Sequence, residues 1–172
     1  MLSLELLGVR LEQPANSPVL LLRERDGQRR VLPIYIGGPE AAAIAYALEG
    51  ATPPRPLTHD LLCNVLNDLG VTLTRVLVTE FKEHTYFAEL HLDRGGEALV
   101  ISSRPSDAVA LAVRTGAPLF ANEELLDAAG QLVDETDDSA STASGADDAP
   151  PEVIIEEFRA FIQDVKPEDF GG

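Results

Sequence analysis

The sequence predicts an α/β (α+β) fold, a compact mixed β-sheet packed with helices. Short runs of alternating apolar and polar residues, typical of half-buried strands, are interspersed with segments whose apolar residues recur at helical spacing. Glycine or proline separates most of these segments. Of the 172 residues, 45% are hydrophobic and 24% are charged, which is the balance of a globular protein that can bury a core.

The N-terminal part of the chain is predicted to form three strands. LSLELLGVRL alternates apolar and polar residues, and PVLLLRER and RRVLPIYI flank the turn pair Asp26-Gly27, which indicates a hairpin. Pro33 lies inside the third run and has no N–H to donate to a neighbouring strand. The third strand is therefore expected at a sheet edge or a bulge.

Two helices are predicted next. In GGPEAAAIAYALEG, Pro39 suits the first turn, Glu40 complements the positive end of the helix dipole, and Gly50 ends the helix. In THDLLCNVLNDLG, Thr58 is the candidate N-cap and Gly70 ends the helix. The apolar stripe of this second helix consists of Leu61, Leu62, Val65, Leu66 and Leu69.

Residues 71–103 are predicted to form three strands separated by the turns KEH and DRGG. RPSDAVALAVRTG is a third helix closed by Gly116, APLFA is a short strand, and NEELLDAAG is a short helix capped by Asn122. The single cysteine, Cys63, is expected to be a small core residue. The start of the chain does not resemble a signal peptide, and no apolar run is long enough to cross a membrane. Together with the single cysteine, these features predict a cytoplasmic protein without membrane association.

The acidic charge is concentrated at the C-terminus. Residues 123–172 hold 15 acidic and 2 basic side chains, whereas residues 1–122 hold 14 acidic and 11 basic ones. The composition predicts a domain at 1–132, a disordered acidic linker at 133–151 and an amphipathic helix at 152–172. Because an acidic tail repels nucleic acid at long range, any activity on nucleic acid must come from a local site.

Two short stretches, RPLTHD and RPSD, combine arginine, proline, a hydroxyl and aspartate at the opening of a predicted helix. A helix N-terminus offers free N–H groups and partial positive charge, and a nearby guanidinium adds a permanent cation. This combination suits a phosphate group. The candidate residues are Arg55, Thr58, His59 and Asp60 in the first stretch, and Arg104, Ser106 and Asp107 in the second.

The spacing leaves two interpretations of these residues open. In the catalytic one, the arginines and hydroxyls bind phosphate and His59 is a general acid or base. The two aspartates then orient His59 or hold a divalent cation such as Mg²⁺ or Mn²⁺. In the structural one, the hydroxyls and aspartates are ordinary capping residues, and a buried Arg–Asp pair between the stretches accounts for the arginines.

Three motifs, LPIYIGGPEAAAIAYALEG, PRPLTHDLL and SRPSDAVALAVRTGAP, together resemble the bifunctional nuclease domain family over roughly residues 2–131. The chain is most similar to actinobacterial members, which share an acidic linker and an F..F…V.P.DF ending. The resemblance implies a mixed α/β domain that forms a homo-oligomer, a dimer above all, and nuclease activity on DNA and RNA. It also adds Glu40 to the matching polar positions.

One departure from the family pattern concerns the third motif. Many members carry an aspartate where this chain has Ser102. The departure, together with the acidic tail, keeps a second class of function open, a non-catalytic dimeric binding or regulatory module.

Overall fold

A seven-stranded mixed sheet forms the framework of residues 1–132, the part of the chain that the structure, a computed structural model, describes. The strands are β1 (Leu2–Glu12), β2 (Ser17–Glu24), β3 (Val31–Tyr35), β4 (Val71–Lys82), β5 (Thr85–Arg94), β6 (Glu97–Ser103) and β7 (Leu119–Ala121). The helices are α1 (Gly38–Leu48), α2 (Thr58–Asp68), α3 (Pro105–Thr115) and α4 (Glu123–Ala129). The predicted linker at 133–151 and the predicted helix at 152–172 lie outside the described residues.

The strand order is β3-β2-β1-β7-β4-β5-β6, which confirms the predicted mixed sheet. Neighbouring strands are antiparallel except β4 and β7, which are parallel. The short strand β7 pairs with β1 on one side and β4 on the other, so it joins the two antiparallel halves of the sheet. Pro33 lies in β3 at the sheet edge, as its missing N–H predicts.

The core is formed by buried side chains of the sheet and of the four helices, and among the helices α3 contributes the most. In β5, every second side chain is buried, namely those of Ala88, Leu90 and Leu92. Helix α3 packs on β4 and β5 and buries Val109 and Leu111, while α1 and α2 both pack against α3. The first turns of α1, α2 and α3, where the candidate residues lie, are therefore held by a central buried helix.

One helix start differs from the prediction, and a second agrees with it in position only. Leu57, rather than Thr58, is the N-cap of α2, and its N–H donates to the Asp60 carboxylate at 2.9 Å. The difference has a physical reason, since the carboxylate of Asp60 at the third helical position accepts the N–H of the residue at the N-cap, which is Leu57. Asn122 occupies the N-cap position of α4, but its side-chain amide donates to the Thr79 carbonyl at 3.0 Å.

Helix α2 exposes most of its apolar stripe. Cys63 is buried, as predicted, and Leu66 packs against the core. The remaining large apolar side chains around this helix are 39 to 67% exposed: Leu57, Leu61, Leu62, Val65 and Leu69. None of the described helices is both long and apolar enough to cross a bilayer.

Candidate functional site

The two arginine-proline stretches meet through His59. Its Nε2 lies 3.0 Å from Oδ1 of Asp107, which joins the first turn of α2 to the first turn of α3. A second contact joins Asp60 to Arg114 near the end of α3, with 2.5 Å between Oδ1 and Nε. Asp107 and Arg114 are seven residues apart and so share one face of α3. The start of α2 therefore lies across that face, held at two points.

Arg104 links this pair to helix α1. Its Nε donates to Oδ2 of Asp107 at 2.6 Å, and its Nη2 lies 3.1 Å from Oδ1 of the same carboxylate. The same Nη2 lies 2.9 Å from Oε1 of Glu40 in the first turn of α1. Glu40, His59, Arg104 and Asp107 thus form one hydrogen-bonded group, which we call the polar cluster.

The polar cluster has an open side. The Arg104 side chain is 65% exposed, and its Nη1 makes no hydrogen bond to the described residues. The His59 side chain is only 12% exposed, and its Nδ1 also has no hydrogen-bond partner among residues 1–132. The one fully buried side-chain nitrogen or oxygen without a partner in this part of the chain is Arg75 Nε. His59 Nδ1 therefore reaches solvent.

The charges of the polar cluster determine which nitrogen of His59 carries the proton. Burial raises the pKa of Asp107, but hydrogen bonds from Arg104 and His59 outweigh it, so this pKa lies below its ordinary value. The hydrogen bond with Asp107 also raises the pKa of Arg104. Because Asp107 is a carboxylate at neutral pH, neutral His59 carries its proton on Nε2, towards Asp107. The lone pair is then on Nδ1, which is partly accessible to solvent.

Asp60 has a different environment from Asp107. Oδ1 accepts a hydrogen bond from Arg114 and Oδ2 accepts one from the Leu57 N–H, whereas the hydrogen bond of His59 is with Asp107. The hydrogen bond from Arg114 is the main reason that the pKa of Asp60 is lowered. This Arg–Asp pair joins α2 to α3, but it is not a pair between the two motifs, because Arg114 lies outside both RPLTHD and RPSD. The structural interpretation considered a buried pair that would account for the arginines of the two motifs, and it did not include Arg114.

Three predicted phosphate-binding residues are not joined to the polar cluster. Arg55 is exposed and forms no ion pair with the described residues, and Thr58 is exposed one position into α2. Ser106 is buried in the first turn of α3. Among the predicted site residues, the structure brings together Glu40, His59, Arg104 and Asp107.

The position of Ser102 bears on the departure from the family pattern. In the register of β5 and β6, Ser102 pairs with Glu89, whose neighbours Ala88 and Leu90 face the core. Side chains alternate along a strand, so Ser102 is on the sheet face opposite the core. A carboxylate at this position would lie across the sheet from the polar cluster.

The carboxylates near the polar cluster do not fit a divalent cation. Both oxygens of Asp60 and both oxygens of Asp107 already contact hydrogen-bond donors. Within residues 1–132, no three His, Cys, Asp or Glu side chains are placed to hold a metal ion.

Gly37 is a residue beside the polar cluster that the sequence analysis did not single out. A Cβ at Gly37 would collide with Oε2 of Glu40, so the end of the Glu40 side chain would have to move. The glycine immediately before α1 therefore allows Glu40 to reach Arg104. The signal in the sequence is the spacing of glycine and glutamate in GGPE.

The family model and the named plant relatives both indicate the same family. A family model described as the bifunctional nuclease domain matches residues 20–134. An uncharacterized protein of Mycobacterium tuberculosis is 46% identical over 164 residues, covering 95% of this chain and 94% of that protein. Bifunctional nuclease 1 of Arabidopsis thaliana is 28% identical over 143 residues, covering 81% of this chain and 44% of that protein.

A rice relative has similar coverage. Bifunctional nuclease 2 of Oryza sativa subsp. japonica is 26% identical over 121 residues, covering 69% of this chain and 37% of that protein. The chain thus spans less than half of the length of these two plant relatives.

Proposed function

The chain belongs to the bifunctional nuclease domain family, and on this premise we propose that it hydrolyses phosphodiester bonds in DNA or RNA at the polar cluster. The observation that carries the proposal is the pairing of His59 with Asp107 beside the partly free guanidinium of Arg104. A proton acceptor and a phosphate-binding cation are thereby held next to each other at the surface. The expected partner is nucleic acid, and the expected location remains the cytoplasm.

Arg104 is the phosphate-binding group in this proposal. Asp107 and Glu40 hold Nε and Nη2, and this fixes the plane of the guanidinium. The two N–H groups of Nη1 stay available to the non-bridging oxygens of a phosphodiester. The N-terminus of α3, which begins at the next residue, adds partial positive charge at the same place.

His59 is the proton acceptor and donor. Asp107 holds Nε2–H, so Nδ1 can take a proton from an attacking water as its oxygen bonds to phosphorus. The protonated ring is stabilised by the Asp107 carboxylate. It then gives the proton to the leaving ribose or deoxyribose oxygen as the P–O bond breaks, which leaves His59 neutral again.

One observation favours a second candidate function, a non-catalytic dimeric binding or regulatory module. The polar cluster contains two carboxylates and one arginine, so with neutral His59 its net charge is -1. This charge opposes phosphate binding, and the contacts within the cluster satisfy one another without a ligand. In this alternative, Arg104 and Asp107 only hold the helix starts together.

Cleavage of labelled single-stranded RNA and DNA separates the two functions. The wild-type chain is compared with Arg104→Ala, and with Arg94→Ala as the control, since Arg94 is a similarly exposed arginine paired with Glu97. The nuclease proposal predicts cleavage that Arg104→Ala abolishes and Arg94→Ala retains. Each reaction is run with Mg²⁺, Mn²⁺ or EDTA, and cleavage in EDTA would support a mechanism based on the protein's own residues. No cleavage by the wild-type chain under any of these conditions would overturn the nuclease proposal.

A further inference from the structure

The exposed stripe of α2 is an apolar surface that the rest of residues 1–132 leaves uncovered. It consists of Leu57, Leu61, Leu62, Val65 and Leu69, and we call it the α2 face. These side chains recur at helical spacing on a helix whose opposite side buries Cys63. Together they expose on the order of 400 Å², within the range of the largest apolar patch on a typical monomer, which is often functional.

The area of the α2 face matches what a two-chain interface requires. A stable interface takes roughly 800 Å² from each partner, and a little over half of that area is apolar. The α2 face alone supplies about this apolar part, and the polar residues around it would supply the remainder. A second copy of the chain, which offers the same face, is therefore an occupant of adequate size.

The charges at the two ends of the α2 face suit a particular arrangement of two copies. Arg55 precedes the helix and Asp68 ends it, and both are exposed without an ion pair to the described residues. If two α2 helices pack antiparallel about a two-fold axis, Arg55 lies near Asp68 of the partner subunit, twice per dimer. A parallel arrangement would instead bring like charges together.

We infer that the α2 face is a self-complementary interface, on which a second copy of this chain packs its own α2 antiparallel. The inference does not depend on the proposed nuclease activity, because it rests on the α2 face and its flanking charges alone. It assigns Arg55 to subunit contact, which accounts for its separation from the polar cluster. His59 and Asp60, on the first turn of α2, would lie beside the interface.

The mass of the full 172-residue chain tests the interface. Analytical ultracentrifugation is expected to give twice the 18.5 kDa chain mass for the wild type. Leu61→Asp buries two unpaired charges in the dimer and is expected to weaken association at least about 100-fold. Leu48→Asp is the matched control, an equally exposed leucine at the end of α1, and should leave the dimer intact. Circular dichroism checks that each variant is folded.

Charge reversal tests the antiparallel arrangement without altering the apolar residues. Arg55→Asp and Asp68→Arg should each weaken the dimer, because each places like charges opposite one another. The double variant restores opposite charges and should recover most of the affinity. A wild-type chain that stays monomeric at about 100 µM overturns the inference. The occupant of the α2 face would then have to be another one, such as residues 152–172 or a different protein. A dimer that Leu61→Asp leaves unchanged overturns it equally.

Discussion

Replacing Arg114 with glutamine removes the cation that holds the start of α2 on α3. The Arg114 side chain is 10% exposed and its partner Asp60 is 27% exposed, so the pair is neither fully buried nor at the surface. Breaking a buried pair costs about 3–5 kcal/mol, whereas exposed pairs contribute at most about 1 kcal/mol. For this intermediate burial we expect a loss of about 2 kcal/mol, or roughly 6 °C in Tm for a domain of this size.

The loss should depend on pH in a defined direction. Because the pKa of Asp60 is lowered in the folded chain, the pair stabilises the fold above the unfolded-state value of about 4. The stabilisation disappears as the pH falls through the lower folded-state pKa, where Asp60 takes up a proton. The difference in unfolding free energy between wild type and Arg114→Gln should therefore be constant near neutrality and shrink in acid.

Urea denaturation at a series of pH values measures this difference. Arg94→Gln is the control, because the Arg94–Glu97 pair is exposed on both sides and should change stability by less than about 0.5 kcal/mol. A double-mutant cycle with Asp60→Asn isolates the coupling, which we expect to exceed about 1 kcal/mol. A coupling near zero, or a loss for Arg114→Gln no larger than the control, would refute the structural role of Asp60.

Three further predictions concern other parts of the described chain. Arg30→Gln leaves the buried carboxylate of Glu24 without its partner and should lower the free energy of unfolding, measured in urea, by about 3 kcal/mol. An unchanged free energy of unfolding would contradict the burial of this ion pair. Burial raises the pKa of the Cys63 thiol, so its reaction with a thiol reagent should be slow until urea unfolds the chain. Rapid modification of the folded protein would contradict the burial of Cys63. Gly37→Ala places a Cβ where Oε2 of Glu40 lies, and the end of that flexible side chain must move away. We therefore expect a loss of less than about 1 kcal/mol in thermal unfolding, and a loss of several kcal/mol would contradict this expectation.

The order of strands and helices could be predicted from the sequence because each element carries its own local pattern. The alternation in β5 and the glycine that ends α3 are examples, and both agree with the structure. The placement of β7 between β1 and β4 could not be predicted in this way. A strand of three residues has too few side chains to specify its neighbours, so tertiary contacts decide them.

The candidate site was predictable in part for a related reason. The two motifs identified His59, Arg104 and Asp107, because helix starts are where polar groups with local roles concentrate. They could not show that Asp107 contacts His59 while Asp60 contacts Arg114, since this depends on the angle at which α2 crosses α3. Similarly, an apolar stripe predicts an amphipathic helix but does not reveal that the stripe faces solvent.

The most direct test of the proposed activity compares two histidines. His59 is paired with Asp107 at 3.0 Å, and His91 is paired with Glu89 at 3.1 Å on the sheet face opposite the core. Cleavage rates of labelled single-stranded RNA are measured for the wild type, His59→Ala and His91→Ala under one set of conditions. General acid–base catalysis by His59 predicts a loss of about 100-fold or more for His59→Ala and less than about 2-fold for His91→Ala. Equal rates for the two variants would contradict the proposed site.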